Sequence, residues 1–283
     1  MIIQKEIINN SKKKGIPKTT IDKDWILGHF LNTMYSFAEI QNNFVFKGGT
    51  CLRKCYVKDY RFSEDLDFTL LNEKLIIDKK LISKFIYEAQ KVCGAKFHLL
   101  KINEPKQDKP GYEIIIKFWG ADHKIHQKPT SPASKWHSKI KLDISVSEEL
   151  VLKPENKKIF HPYSDSKFID NVIPVYSINE IIAEKLRSLI QRNRPRDIYD
   201  VWNLSKIIDK KEYSIIKNTL FKKSENKHIK ISGVNDFIND DKGKTNKKEW
   251  ESSLKHQLSK EELPDFDKVY NRMPEFIEKI LND

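Results

Sequence analysis

Short apolar runs, several of them alternating with period two, fill the first part of this chain, and apolar residues at three- and four-residue spacing fill the rest. Residues 44–46, 65–70, 95–102, 112–119 and 139–146 have the strand form, rich in β-branched or aromatic side chains. Helical spacing falls between them, over 20–40 with Thr20 in the capping position, directly after Gly48-Gly49-Thr50, and over 75–92 up to Gly94 at a C-cap position. Residues 120–132 are polar, contain histidine and are bounded by proline, which predicts a mobile loop at the edge of a sheet.

At Ser177 the rhythm changes. Ser177-Ile178-Asn179-Glu180 has the capping-box form and opens a helix to about Gln191. Further helices are expected over 198–208, 212–221, 249–258 and 266–281, separated by polar stretches such as 240–248. The pattern predicts an α+β chain with a lobe of mixed sheet and helices over 1–175 and a helical lobe over 176–283.

Composition excludes some classes. The 283 residues are 39% hydrophobic and 33% charged, and no run approaches the ~18 apolar residues of a membrane span. Residues 1–14 lack the apolar block and cleavage site of a secretory signal, so a cytoplasmic protein with no membrane part is expected. Cys51, Cys55 and Cys93 are odd in number and lack a CxxC pair, which points to neither a disulfide framework nor a zinc site. The 52 Lys and Arg against 40 Asp and Glu leave a formal charge of +12, favouring a polyanionic partner.

The most informative triplet is Asp65-Leu66-Asp67. On a strand, residues i and i+2 share a face, so the two carboxylates converge and need a cation between them. An oxygen-only pair of this kind suits Mg2+, which takes one or two carboxylates plus substrate phosphates. Upstream, Gly48-Gly49-Thr50 follows a strand and opens a helix, placing backbone N–H groups and a hydroxyl where a phosphate could dock. A third acid, Asp143, lies in the alternating run 139–146; if that strand neighbours the first, three carboxylates could hold two metal ions. Lys47, Arg53, Lys54 and Arg61 surround the glycine turn and the acid pair, and Lys185 projects from the helix after Ile178; these supply positive charge for phosphates. Ser63 would share the Asp65 face and is a candidate for self-modification.

Two blocks, FVFKGGTCLRKCYVKDYRFSEDLDFTL over 44–70 and NEIIAEKLRSLIQRNRPRDIYDVWNL over 179–204, resemble the signature of the AbiEii/AbiGii toxin family of nucleotidyltransferases. The resemblance implies a polymerase-β-like nucleotidyltransferase lobe with an added helical lobe, acting as the toxin of a type IV toxin-antitoxin or phage-defence pair. It implies Gly48, Gly49 and Thr50 for the nucleoside triphosphate, Asp65 and Asp67 for metal, Lys185 for phosphate, and one of Asp197 or Asp200 for the later acidic position; Arg53 joins the nucleotide-binding candidates by its closeness to the glycine turn alone. The two Asp candidates stay open at this level.

The implied reaction is transfer of a nucleotide from an NTP to the 3′ end of tRNA, which would stop aminoacylation. A cognate antitoxin encoded nearby, acting without direct contact, is implied too. Arg192, Arg194 and Arg196 are the candidates for RNA backbone contacts, the other reading being a solvated turn between helices. Two alternatives stand beside this reading: transfer to a protein or small molecule, and a non-catalytic module that binds NTP or RNA.

Overall fold

The computed structural model describes residues 2–107, 110–124 and 126–283. The period-two runs become strands β1 (Phe44–Lys47), β2 (Asp65–Leu70), β3 (Lys96–Asn103), β4 (Gly111–Trp119) and β5 (Lys139–Ser145), and two short strands join them, β6 (Glu155–Lys158) and β7 (Val172–Val175). Together they make one sheet in the order β3-β4-β5-β2-β1-β7-β6. It is mixed: β2 with β5 and β1 with β7 are parallel, and every other pair is antiparallel.

Alternation decides the faces. Leu66, Phe68, Leu142, Ile144, Ile114 and Ile116 are paired across β2, β5 and β4 and all are buried. Each such side chain contributes about 1.5–3 kcal/mol when removed from water. The intervening positions carry Asp65, Asp67, Lys141, Asp143 and Glu113, so one face of the same strands is polar.

Among the described residues five helices accompany the sheet: α1 (Gln4–Lys14), α2 (Lys18–Met34), α3 (Ala38–Asn43), α4 (Gly48–Cys51), which runs into a π-turn over Leu52–Tyr56, and α5 (Lys79–Cys93). The single helix expected over 20–40 is two. Pro17, which lacks an N–H, precedes the first helical residue Lys18, so Thr20 lies inside α2 rather than capping it. The helix ends at Met34, where the Ser36 hydroxyl turns back to the Thr33 carbonyl at 2.7 Å. In α5 the Asp78 carboxylate accepts the Leu81 N–H at 2.8 Å, and Gly94 closes the helix with φ 74°. The 120–132 segment, of which Ile125 lies outside the described residues, is tied back by Ala121 N–H to Asp22 at 2.7 Å and by Trp136 Nε1 to the Thr130 carbonyl.

By its internal contacts the chain forms two units, one of Met1–Glu148 with Pro154–Val175, the other of Glu149–Lys153 with Tyr176–Asp283. The second is helical: α6 (Ile178–Gln191), α7 (Pro195–Leu204), α8 (Tyr213–Glu225), α9 (Asp240–Leu254), α10 (Phe266–Tyr270) and α11 (Met273–Asn282). Residues 240–248, read from sequence as a polar separator, are the first half of α9. The Asn239 side chain caps it, and Gly243, Asn246, Trp250 and Leu254 form a buried stripe at helical spacing, two of its four members polar or without a side chain. The helix expected over 266–281 is broken at Asn271-Arg272, with Pro274 in the first turn of α11.

Ser177 caps α6 as expected, its hydroxyl accepting the Glu180 N–H at 3.3 Å. Glu180 does not complete the box. Its carboxylate is wholly buried, accepts the N–H groups of Val151 and Leu152 at 2.9 and 2.8 Å, and pairs with Lys223 at 2.9 Å. Among the described residues no helix is long and apolar enough to cross a membrane.

Candidate active site

The polar face of the sheet carries one row of residues in register across five strands: Lys47 on β1 faces Asp67 on β2, Asp67 faces Asp143 on β5, Asp143 faces Glu113 on β4, and Glu113 faces Asn103 on β3. One step along, Asp65 faces Lys141. The structure therefore brings Asp65, Asp67 and Asp143 together, because β2 and β5 are parallel neighbours. Glu113 and Lys141 were not among the sequence candidates. Their only sequence signal is a polar residue on the face that carries the other acids, and register, which a sequence does not display, places them there.

Lys141 is bound into this acid group, its ammonium 2.7 Å from Asp143 Oδ2 and 3.3 Å from Glu113 Oε2. Burial alone would pull the Lys141 pKa down, but the hydrogen bonds to Asp143 and Glu113 outweigh it and hold it above the ordinary value. Asp65 is held above the ordinary carboxylate range by burial, with the Asp143 charge adding to the effect and Lys141 opposing it. All the anionic donors here are oxygens, the set that a hard divalent cation takes.

The glycine turn lies against the same acids. Gly48 has φ 79°, in the left-handed region, and a Cβ there would overlap the Asp67 carboxylate. A Cβ on Gly49 would stand 2.9 Å from Arg61 Nη2 and 3.0 Å from Ser63 Oγ. Thr50 donates its hydroxyl to the Asp65 carbonyl, stapling the turn to β2.

Arg53 serves elsewhere. Its guanidinium is buried, bonded to Asp24 at 2.7 Å and to the Tyr60 carbonyl, and lies over the Phe62 ring. Lys54 is likewise buried on Asp24 at 2.9 Å. Burial would raise the Asp24 carboxyl, yet these two cations hold it well below the usual range. Proximity in sequence suggested Arg53 for the nucleotide; the turn of the helix directs it into an internal ion pair.

In the helical unit, Lys185 meets both later acids, at 3.1 Å from Asp197 and 2.7 Å from Asp200, all three buried. Asp197 also accepts two hydrogen bonds from Arg192, at 2.8 and 2.9 Å. Burial opposes ionisation of Asp197, but Lys185 and Arg192 carry its pKa well below the usual range. Of the three arginines, Arg194 is exposed, Arg196 is half-buried and Arg192 is engaged with Asp197.

A separate cluster joins His29, His161 and Asp165, the one group among the described residues whose three ligand atoms all lie within 4.8 Å of one another. Each imidazole Nε2 lies about 3 Å from an Asp165 oxygen, and Trp25 Nε1 donates to the same carboxylate. Metal-bound histidines place their other ring nitrogen on an acceptor. Here both Nδ1 atoms are buried without a partner, both rings are clamped on the Asp165 carboxylate, and burial lowers the His161 pKa to about 4.

The AbiEii family model, described as nucleotidyl transferase AbiEii toxin of a type IV toxin-antitoxin system, matches residues 29–272. No curated protein matches the chain. Among solved structures, MenT4, a nucleotidyltransferase toxin from Mycobacterium tuberculosis H37Rv, aligns over 100% of this chain and 91% of its own, with a TM-score of 0.66 and 16% identity. JHP933 from Helicobacter pylori aligns over 94% of both chains, with a TM-score of 0.56 and 15% identity. At such identities the two structures establish a shared fold.

Proposed function

The chain belongs to the AbiEii family of nucleotidyl transferase toxins, and from that premise we propose that it transfers a nucleotide from an NTP to the 3′ end of an RNA, tRNA foremost. The observation that carries the reading is the register of Asp67 on Asp143 beside a glycine turn whose missing Cβ leaves the Asp67 carboxylate its space.

Asp65 and Asp67, with Asp143 opposite, are the residues that would hold Mg2+, which when bound would neutralise phosphate charge. Gly48, Gly49 and Thr50 receive the triphosphate, the two glycines by letting it approach the backbone. In the transfer, the acceptor hydroxyl oxygen forms a bond to the α-phosphorus, the bond from that phosphorus to the bridging oxygen breaks, and pyrophosphate leaves with the electron pair. The hydroxyl proton passes to a carboxylate of the row. The charge of +12 supports an RNA acceptor, with Arg194 and Arg196 as phosphate contacts. Blocking tRNA 3′ ends in the cytoplasm would halt translation, and the family implies an antitoxin encoded nearby that needs no direct contact.

The test is incubation with total tRNA, Mg2+ and each α-labelled NTP in turn, beside Asp65→Ala. Label on tRNA from the unmutated protein alone is expected. Label on protein or on a small molecule would redirect the acceptor, and full activity of Asp65→Ala would overturn the site.

A further inference from the structure

Three carboxylates on one face, Asp65, Asp67 and Asp143, led to the expectation of two metal ions. Lys141 alters that count. Its ammonium lies 2.7 Å from Asp143 and 3.3 Å from Glu113, and its backbone stands directly opposite Asp65 on the parallel pair of β2 and β5. Glu113 is itself anchored, accepting a hydrogen bond from Asn103 Nδ2 at 2.8 Å. A chain of side chains across three strands, Asn103 to Glu113 to Lys141, thus delivers a fixed positive charge to the Asp143 side of the row.

Resting on the nucleotidyl transfer reading above, we propose that Lys141 stands in the place of a second divalent ion, so that the site works with one. In two-ion sites the ions lie about 3.5–4 Å apart and share a carboxylate. A monovalent cation already seated on Asp143 Oδ2 repels a second ion at that distance and competes with it for the shared carboxylate. Lys141 can also do what the acceptor-side ion does. An ammonium has three N–H donors, two of which point to Asp143 and Glu113. The third is available to the oxygen of the incoming hydroxyl, holding it against the α-phosphorus. Glu113 acts through Lys141 and is a positioning residue.

The experiment counts ions. Mn2+ is titrated into the full-length protein with a non-hydrolysable NTP analogue, and free Mn2+ is read by electron paramagnetic resonance, beside Lys141→Ala, Lys141→Gln and Lys141→Arg. One ion per complex is expected for the unmutated protein and for Lys141→Arg, and two for Lys141→Ala and Lys141→Gln, whose transfer should recover as Mn2+ is raised. Two ions in the unmutated protein would overturn the proposal while labelled transfer to tRNA could still stand. One ion in every variant would overturn it equally, since Lys141 would then not be what excludes the second. Absence of nucleotide-dependent Mn2+ binding would remove it together with the site, an outcome the transfer assay with Asp65→Ala scores separately.

Discussion

Gly48 and Asp67 share one space: the backbone of Gly48 turns with φ 79°, and the carboxylate of Asp67 fills the position its side chain would take. Gly48→Ala therefore carries two penalties. An L-residue in the left-handed region costs about 1–2 kcal/mol, and the new methyl group pushes Asp67 out of register with Asp143. The variant should unfold at lower urea and lose Mn2+ affinity. A variant with the same midpoint and the same affinity would show that Asp67 does not depend on this gap.

Asp22 offers a test by pH. Burial raises its pKa from 3.8 to about 7, against a hydrogen bond from the Ala121 N–H. Because the folded value lies above the unfolded one, its stabilising effect is complete below pH 3.8 and is lost as pH rises through about 7. Asp22→Asn keeps the acceptor and removes the charge. It should stabilise the protein at pH 8 by up to about 4 kcal/mol, at 1.36 kcal/mol per unit, and make little difference near pH 4. Urea unfolding at the two pH values measures both arms; equal effects at both would refute the burial argument.

Lys185→Met leaves Asp197 and Asp200 buried with one cation fewer. Breaking such a pair costs about 3–5 kcal/mol. The sign with pH is opposite to that of Asp22. Asp197 has a depressed folded pKa, so the stability it supplies is present above its ordinary value of 3.8 and disappears as pH falls through the folded value. The gap between variant and unmutated protein in thermal unfolding should be wide at pH 7 and narrow on acidification. A gap independent of pH would mean that lost packing, not charge, explains it.

How much of this was legible beforehand depended on which physical signal each element carries. Strand β2 could be read to its ends because Asp65, Asp67 and Leu66, Phe68 alternate without exception. β6 could not: Glu155–Lys158 is ENKK, an edge strand with no apolar residue of its own to alternate, and only its pairing with Val172–Val175 reveals it. The acid pair announced itself by spacing alone, whereas Glu113 and Lys141 enter the site only through pairing between strands distant in sequence. Arg53 shows the reverse failure, since closeness along the chain to Gly49 says nothing about the side of the helix from which it leaves.

The buried pair of Glu180 and Lys223 reaches back to collect Glu149–Lys153, through the Val151 and Leu152 N–H groups and the Glu149 carbonyl. Neither unit is thus a continuous stretch of gene. Modules that recombine freely in evolution are exchanged by one crossover at each end, but here a crossover at Val175 would transplant the helices without the five residues that satisfy their innermost charges. The two units are constrained to be inherited as one.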